Sequence, residues 1–146
     1  MKKTILCTLV AGLMMNSACA GFDVARTAHG QGNPALAYKE CKDSANQGDI
    51  GCQKLLGYSY QYGDGVPQDY QQAATWYRKA AEQGDAAAQN GLGLMYENGQ
   101  GVPQDYNQAV AWYSKAAEQG YASAQNDLGM MYEKGQGVQQ DYQRAV

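Results

Sequence analysis

Apolar and polar residues follow one another along this chain with the period of an α-helix. In "AAAQNGLGLMYENG", Ala88, Leu92, Met95 and Tyr96 sit at positions zero, four, seven and eight of one stretch, which is a single helical face. Gly99 and Gly101 follow, with Pro103 close behind, and together these residues predict a helix stop. In "VPQDYNQAVAWYSKAAEQG" a second stripe runs through Tyr106, Ala109, Trp112, Tyr113, Ala116 and Ala117 before Gly120 ends it. Asp105 is placed to cap this second helix, and Gln108 would complete a capping box; Asp69 and Gln72 repeat the device. The predicted unit is helix A, a glycine-rich turn, helix B, and a further short turn.

The unit returns at a fixed interval. "GDGVPQDYQQAATWYRKAAEQG" begins at Gly63, "GQGVPQDYNQAVAWYSKAAEQG" 36 residues later at Gly99, and "GQGVQQDYQRAV" after the same interval at Gly135. A fixed period of this size predicts stacked helical hairpins, so the fold class is all-α, an α/α superhelical repeat solenoid. Helix A also carries a mid-helix glycine in every copy, at Gly57, Gly93 and Gly129. Such a glycine costs about 1 kcal/mol relative to alanine, so close helix contact is expected to offset it. The constant tyrosines, Tyr60, Tyr96 and Tyr132 with Tyr70, Tyr106 and Tyr142, read as stacking core, because every repeat must bury its neighbour.

Upstream the phase is looser. "NPALAYKECKDSANQGDIGCQKLLG" aligns with a helix B capped by Asn33, with Pro34 at its first position, and then the next helix A. "GFDVARTAHG" reads as an opening helix A, giving a weak first pair over 21–47 ahead of repeats starting near 51, 87 and 123. The last repeat is incomplete. Val146 falls inside its helix B, which reads as a truncated product with Tyr142, Ala145 and Val146 loosely held.

The first twenty residues differ in kind. Lys2 and Lys3, the apolar run from Ile5 to Met15 and the small residues Ser17 to Ala20 have the order of a secretory signal peptide, and the run is too short for a bilayer span. Ala18 and Ala20 make an A-x-A cleavage pattern with Gly21 first in the mature chain, and 21–146 then forms the repeat domain. The alternative is an outer-membrane lipoprotein anchored at Cys19. Loss of 1–20 removes Cys7 and Cys19 and leaves Cys41 and Cys52, which are expected to form one disulfide in a periplasmic or secreted protein.

Charge and candidate chemistry narrow the function. Removing Lys2 and Lys3 takes the formal net charge from −3 to −5, and there is no Lys/Arg cluster, which argues against nucleic acid or anionic lipid as partner. His29 is the single histidine and reads as a solvated helix-end residue, so a histidine-based metal site or a Ser-His-Asp triad has little to draw on. Neither S-x-x-K nor K-T-G occurs, and "GDGVPQD" recurs as a helix connector, not as a phosphate loop. No catalytic, cofactor or metal residues are assigned.

The tract of Ala88, Leu92, Gly93, Tyr96, Gly99, Gly101, Val102, Asp105, Tyr106, Ala109, Trp112, Tyr113, Ala116, Ala117 and Gly120 resembles the Sel1-like repeat, a relative of the tetratricopeptide repeat. The resemblance implies a right-handed superhelix acting as a non-catalytic scaffold for a protein or peptide partner, with helix A on the concave face. Positions that vary between copies then become the candidate contacts: Lys54, Asn90 and Asn126; Tyr58, Leu94 and Met130; Gln61, Glu97 and Glu133. The same resemblance leaves one alternative, a β-lactam-binding or weakly hydrolytic protein of the cysteine-rich kind. That kind carries one cysteine pair per repeat, and this chain has a single pair.

Overall fold

The computed structural model describes residues 17–141 and residue 143. Most of the expected leader, and the terminal Tyr142, Ala145 and Val146, lie outside these described residues. Among them the chain forms seven helices and no strand: α1 (Ser17–Gly30), α2 (Pro34–Asn46), α3 (Ile50–Tyr62), α4 (Tyr70–Glu82), α5 (Ala86–Asn98), α6 (Tyr106–Glu118) and α7 (Ala122–Lys134). Odd-numbered helices are the A helices and even-numbered ones the B helices. The closest packing is within the pairs α1–α2, α3–α4 and α5–α6, while α2–α3, α4–α5 and α6–α7 join successive units. α1 touches α3 and α3 touches α5, so these A helices stand side by side along one face. The fold is the expected all-α repeat solenoid.

α1 starts upstream of Gly21, so its first turn contains the backbone of Ala18, Cys19 and Ala20. α2 begins as its sequence predicts, with Pro34 at the N-terminal position and the Asn33 side chain accepting from Leu36 N at 3.1 Å.

The glycine within helix A is explained by what lies against it. A Cβ placed on Gly93 would sit 2.7 Å from the ring of Tyr113 and 3.3 Å from the carbonyl oxygen of Ala109, both on α6. At Gly57 the same construction meets the ring of Tyr77 on α4 at 2.6 Å. Each A helix thus carries a notch that receives the ring of a helix B tyrosine. The hydroxyl at the far end of each ring is also held: Tyr77 donates to Gln61 Oε1 at 2.8 Å and Tyr113 to Glu97 Oε2 at 2.6 Å. Ring burial, a close backbone approach and a satisfied hydroxyl together offset the helix-propensity cost.

The turn from A to B answers three of the orphan carbonyls at the end of helix A. Gly99 adopts φ +65° at the end of α5 and its N–H reaches Met95 O. Asp105 N donates to Tyr96 O at 2.9 Å, and Gln104 Nε2 donates to Glu97 O at 2.8 Å. This corrects the capping-box reading. Asp105 Oδ1 accepts from Asn107 N and Gln108 N, but the amide that Gln108 was expected to satisfy goes to the preceding helix. Gly101, at φ +70°, has a separate duty: a Cβ there would overlap the Tyr70 carbonyl, so this loop rests on the start of helix B one repeat earlier.

Between units, the buried Gln53 and Gln89 and the exposed Gln83 and Gln119 form a polar ladder. Gln53 Nε2 donates to Ala45 O at 3.0 Å, and Gln83 Nε2 donates to Gln53 Oε1 at 2.7 Å. One repeat on, Gln89 Nε2 donates to Ala81 O at 3.2 Å and Gln119 Nε2 to Gln89 Oε1 at 2.8 Å. The Cys41–Cys52 disulfide is formed between α2 and α3, with Cα atoms 5.0 Å apart and both residues fully buried. Later copies fill the Cys52 position with Ala88 and Ala124, also fully buried.

Two stability outcomes follow from this packing. Gly93→Ala, although favourable for an isolated helix, is expected to destabilise the chain by about 1–3 kcal/mol through overlap with the Tyr113 ring; a rise in the urea midpoint would contradict the notch. Replacing Cys41 and Cys52 together by alanine is expected to cost about 2–3 kcal/mol, the loop-closure contribution of a bridge spanning 11 residues. Thermal unfolding with and without reductant measures it, since reduction should lower the parent's midpoint and leave the double variant's unchanged.

Candidate functional site

The face built by the A helices is where the varying positions converge, and the structure sorts them into three rows. In the first, Lys54 Nζ pairs with Asp85 Oδ2 at 2.9 Å, Asn90 is partly buried and Asn126 is exposed. Asp85 has two tasks, because its other oxygen caps α5 by accepting from Ala88 N at 2.8 Å. The equivalent of Asp85 one repeat on is Tyr121, which caps nothing with its side chain, and Asn90 Oδ1 there is buried without a partner. One repeat junction therefore carries an ion pair that the next lacks.

The second row is the most open. Tyr58 is 44% exposed and Met130 43% exposed, while Leu94 between them is partly buried. The third row divides. Glu133 is exposed, but Gln61 is buried and Glu97 partly buried, each accepting the hydroxyl of a stacking tyrosine. Gln61 and Glu97 thus face helix B as much as the open surface, because a step of three from Tyr58 or Leu94 turns the side chain towards the paired helix.

Electrostatics follow this division. Burial, aided by the Glu97 carboxylate, holds the Tyr113 hydroxyl far above the ordinary tyrosine range, so it stays a proton donor at any physiological pH. Asp127 on α7 is raised above the usual carboxylate range, first by burial and then by the negative charge of Glu97, against a hydrogen bond from Asn90. Tyr60 is pushed up to about 12, chiefly by its 2.8 Å hydroxyl contact with Tyr38 and then by burial.

At the opening end of the face, α1 and α3 border an open, shallow cleft of about 340 Å³. Phe22, Leu55 and Tyr58 supply its walls together with apolar surface of Arg26, His29 and Lys54, whose polar groups stand at its edge. The ring of Phe22 lies directly on Gly51, where a Cβ would come within 2.7 Å of it. His29 is less solitary than its sequence suggests: Nε2 lies 2.9 Å from Asp64 Oδ2, and the ring meets Tyr58 edge-on with centroids 6.2 Å apart. Tyr58 in turn packs against Tyr62, which is 58% exposed, with centroids 4.6 Å apart.

Lys54 and Tyr58 were reachable from the sequence as varying positions. Phe22, Arg26, His29 and Leu55 were not. The first three belong to an opening helix with no counterpart for comparison. Leu55 does have a signal, since Gly91 and Asp127 replace it in the later copies. Among the described residues no helix is long and apolar enough to cross a membrane, and no group of three or more His, Cys, Asp or Glu could hold a metal ion.

Solved structures share this architecture. A protective antigen present in uropathogenic Escherichia coli strains, described as displaying an SLR fold, aligns over 88% of this chain with a TM-score of 0.82 and 41% identity. A Sel1 repeat protein from Oxalobacter formigenes aligns over 88% with a TM-score of 0.81 and 35% identity. The chain spans 28% and 53% of the lengths of those two proteins. Cysteine rich protein B of Helicobacter pylori aligns over 74% of this chain and 82% of its own, with a TM-score of 0.56; at 24% identity that likeness concerns the fold alone. A comparison with curated proteins finds no significant match. The sequence pattern of the Sel1 repeat matches residues 51–85, 86–121 and 122–146 without a gap, and the chain belongs to the Sel1 repeat family.

Proposed function

We propose that this protein is an exported, non-catalytic scaffold that holds a protein or peptide partner along the face of its A helices. The observation that carries the reading is the second row of varying positions. Tyr58 and Met130 remain open to water at places equivalent to one another, whereas Ala88, Leu92 and Met95 on the core stripe of helix A are fully buried. Large apolar side chains kept exposed at repeat-equivalent sites fit the centre of an interface, with the polar Lys54, Asn90, Asn126 and Glu133 as its rim. Sel1 repeats as a class mediate contacts between proteins, and the family membership supports the same role here.

Export is supported by the leader-like order of residues 1–20 and by a buried disulfide, which suits an oxidising compartment such as the periplasm or the exterior. In this reading 21–146 is the working domain, and intact-mass measurement distinguishes a chain starting at Gly21 from one lipidated at Cys19.

The scaffold reading is tested by crosslinking a C-terminally tagged chain in a bacterial host and identifying its partner by mass spectrometry. Leu94→Glu combined with Met130→Glu is expected to abolish recovery of that partner with far-UV circular dichroism unchanged. Equal recovery by a folded double variant would overturn the assignment of this face.

A further inference from the structure

Building on the scaffold reading, we infer that the cleft between α1 and α3 is a recognition pocket for an acidic peptide segment, taking one large apolar side chain between flanking aspartates or glutamates. The floor is apolar and already shaped. Phe22 is seated on Gly51, Leu55 is packed against the core behind it, and Tyr58 stands at the rim with nearly half its surface in water. A volume of about 340 Å³ is at the small end for ligand pockets and suits one side chain with its adjoining backbone better than a whole cofactor.

The charged side chains that line the cleft itself are basic. Among the described residues, the ionisable groups lining the cleft are Arg26 and His29 on α1, with Lys54 and Tyr58 on α3, and no carboxylate is among them. This occurs in a chain whose formal net charge is −3. His29 and Lys54 are steadied by Asp64 and Asp85, neither of which lines the cleft, whereas the exposed Arg26 side chain makes no ion pair or hydrogen bond with any described residue. An unengaged guanidinium beside an apolar floor offers its planar fork to a carboxylate. With Arg26 unengaged on α1 and Lys54 shared with Asp85 on α3, basic groups border the floor from both helices, which suits carboxylates on both sides of an apolar residue better than the single carboxylate of a chain end.

The test uses the chain as exported, 21–146, and fluorescence polarisation with a labelled, terminally blocked peptide, acetyl-Glu-Glu-Phe-Glu-Glu-amide. Saturable binding that weakens with added salt is expected. Replacing the peptide's glutamates by glutamine, or its phenylalanine by alanine, is expected to weaken binding on the order of tenfold, as is Arg26→Glu in the protein. Arg26→Gln should fall between. The peptide substitutions need no protein variant, so they decide the matter even where a change on α1 disturbs folding. Equal affinity for the acidic and glutamine peptides would overturn the proposal. So would binding that requires an unblocked peptide C-terminus, or Arg26-dependent binding to phosphatidylglycerol vesicles with none to the peptide. If the peptide fails while the Leu94 and Met130 double variant still loses its partner, the pocket assignment falls and the scaffold reading stands.

Discussion

The seating of a helix B tyrosine ring in a glycine notch of helix A is the contact on which the rest of this solenoid depends. Tyr77 and Tyr113 can approach Gly57 and Gly93 only because no Cβ is present, and that approach sets the separation of the paired helices. Tyr77 also reaches the next unit, where a Cβ on Gly91 would lie 3.2 Å from its ring. One side chain therefore fixes both the pairing within a unit and the spacing to its neighbour. The hydroxyl bonds to Gln61 and Glu97 make the ring's position directional, and the glutamine ladder through Gln53, Gln83, Gln89 and Gln119 adds a polar register that a slipped stack could not satisfy.

This constraint also determines which residues remain for function. Many positions filled identically between copies are consumed by stacking, capping or loop closure, and Tyr58, Asn126, Met130 and Glu133 are among the differing ones that stay open. The differences are physical. The Lys54–Asp85 pair at one junction becomes Asn90 and Tyr121 at the next, where an amide oxygen lacks a partner and Asp127 is held above its usual range. The A-helix face thus carries basic and aromatic side chains at its opening end and partly buried acids further along, so a partner lying across it would meet unlike surroundings in each unit.

Much of the architecture was legible in the sequence because repetition multiplies weak signals. Ala88, Leu92 and Met95 alone suggest a helix; their recurrence with Gly99, Gly101 and Asp105 at a constant interval specifies a hairpin and its stacking. What repetition could not supply was the direction of individual bonds. Asp105 reads as half of a capping box because Gln108 follows at the right distance, yet its amide is taken by Tyr96 O, a partner visible only once the loop closes on helix A. Gln61 reads as surface on a helical wheel, but the wheel holds no record of the tyrosine opposite. Asn33 and Pro34 succeeded as local signals because a helix cap depends on its own next three residues.

The same reasoning accounts for a pocket at the irregular end of the stack. In the regular units the notch, ladder and loop contacts leave little freedom on the flanks of helix A, and the place of Leu55 is taken by Gly91, which lies against the Tyr77 ring. α1 lies outside the repeating pattern, so Phe22, Arg26 and His29 answer to no such demand and can occupy the side of α3 that faces away from α4. Gly51, where later copies carry Ala87 and Ser123, is the residue that permits it: removing a methyl group from α3 lets the Phe22 ring lie flat enough to form a floor. A departure from the repeat that would weaken an interior unit is tolerated there because the neighbouring Cys41–Cys52 bridge holds α2 and α3 together independently of ring stacking.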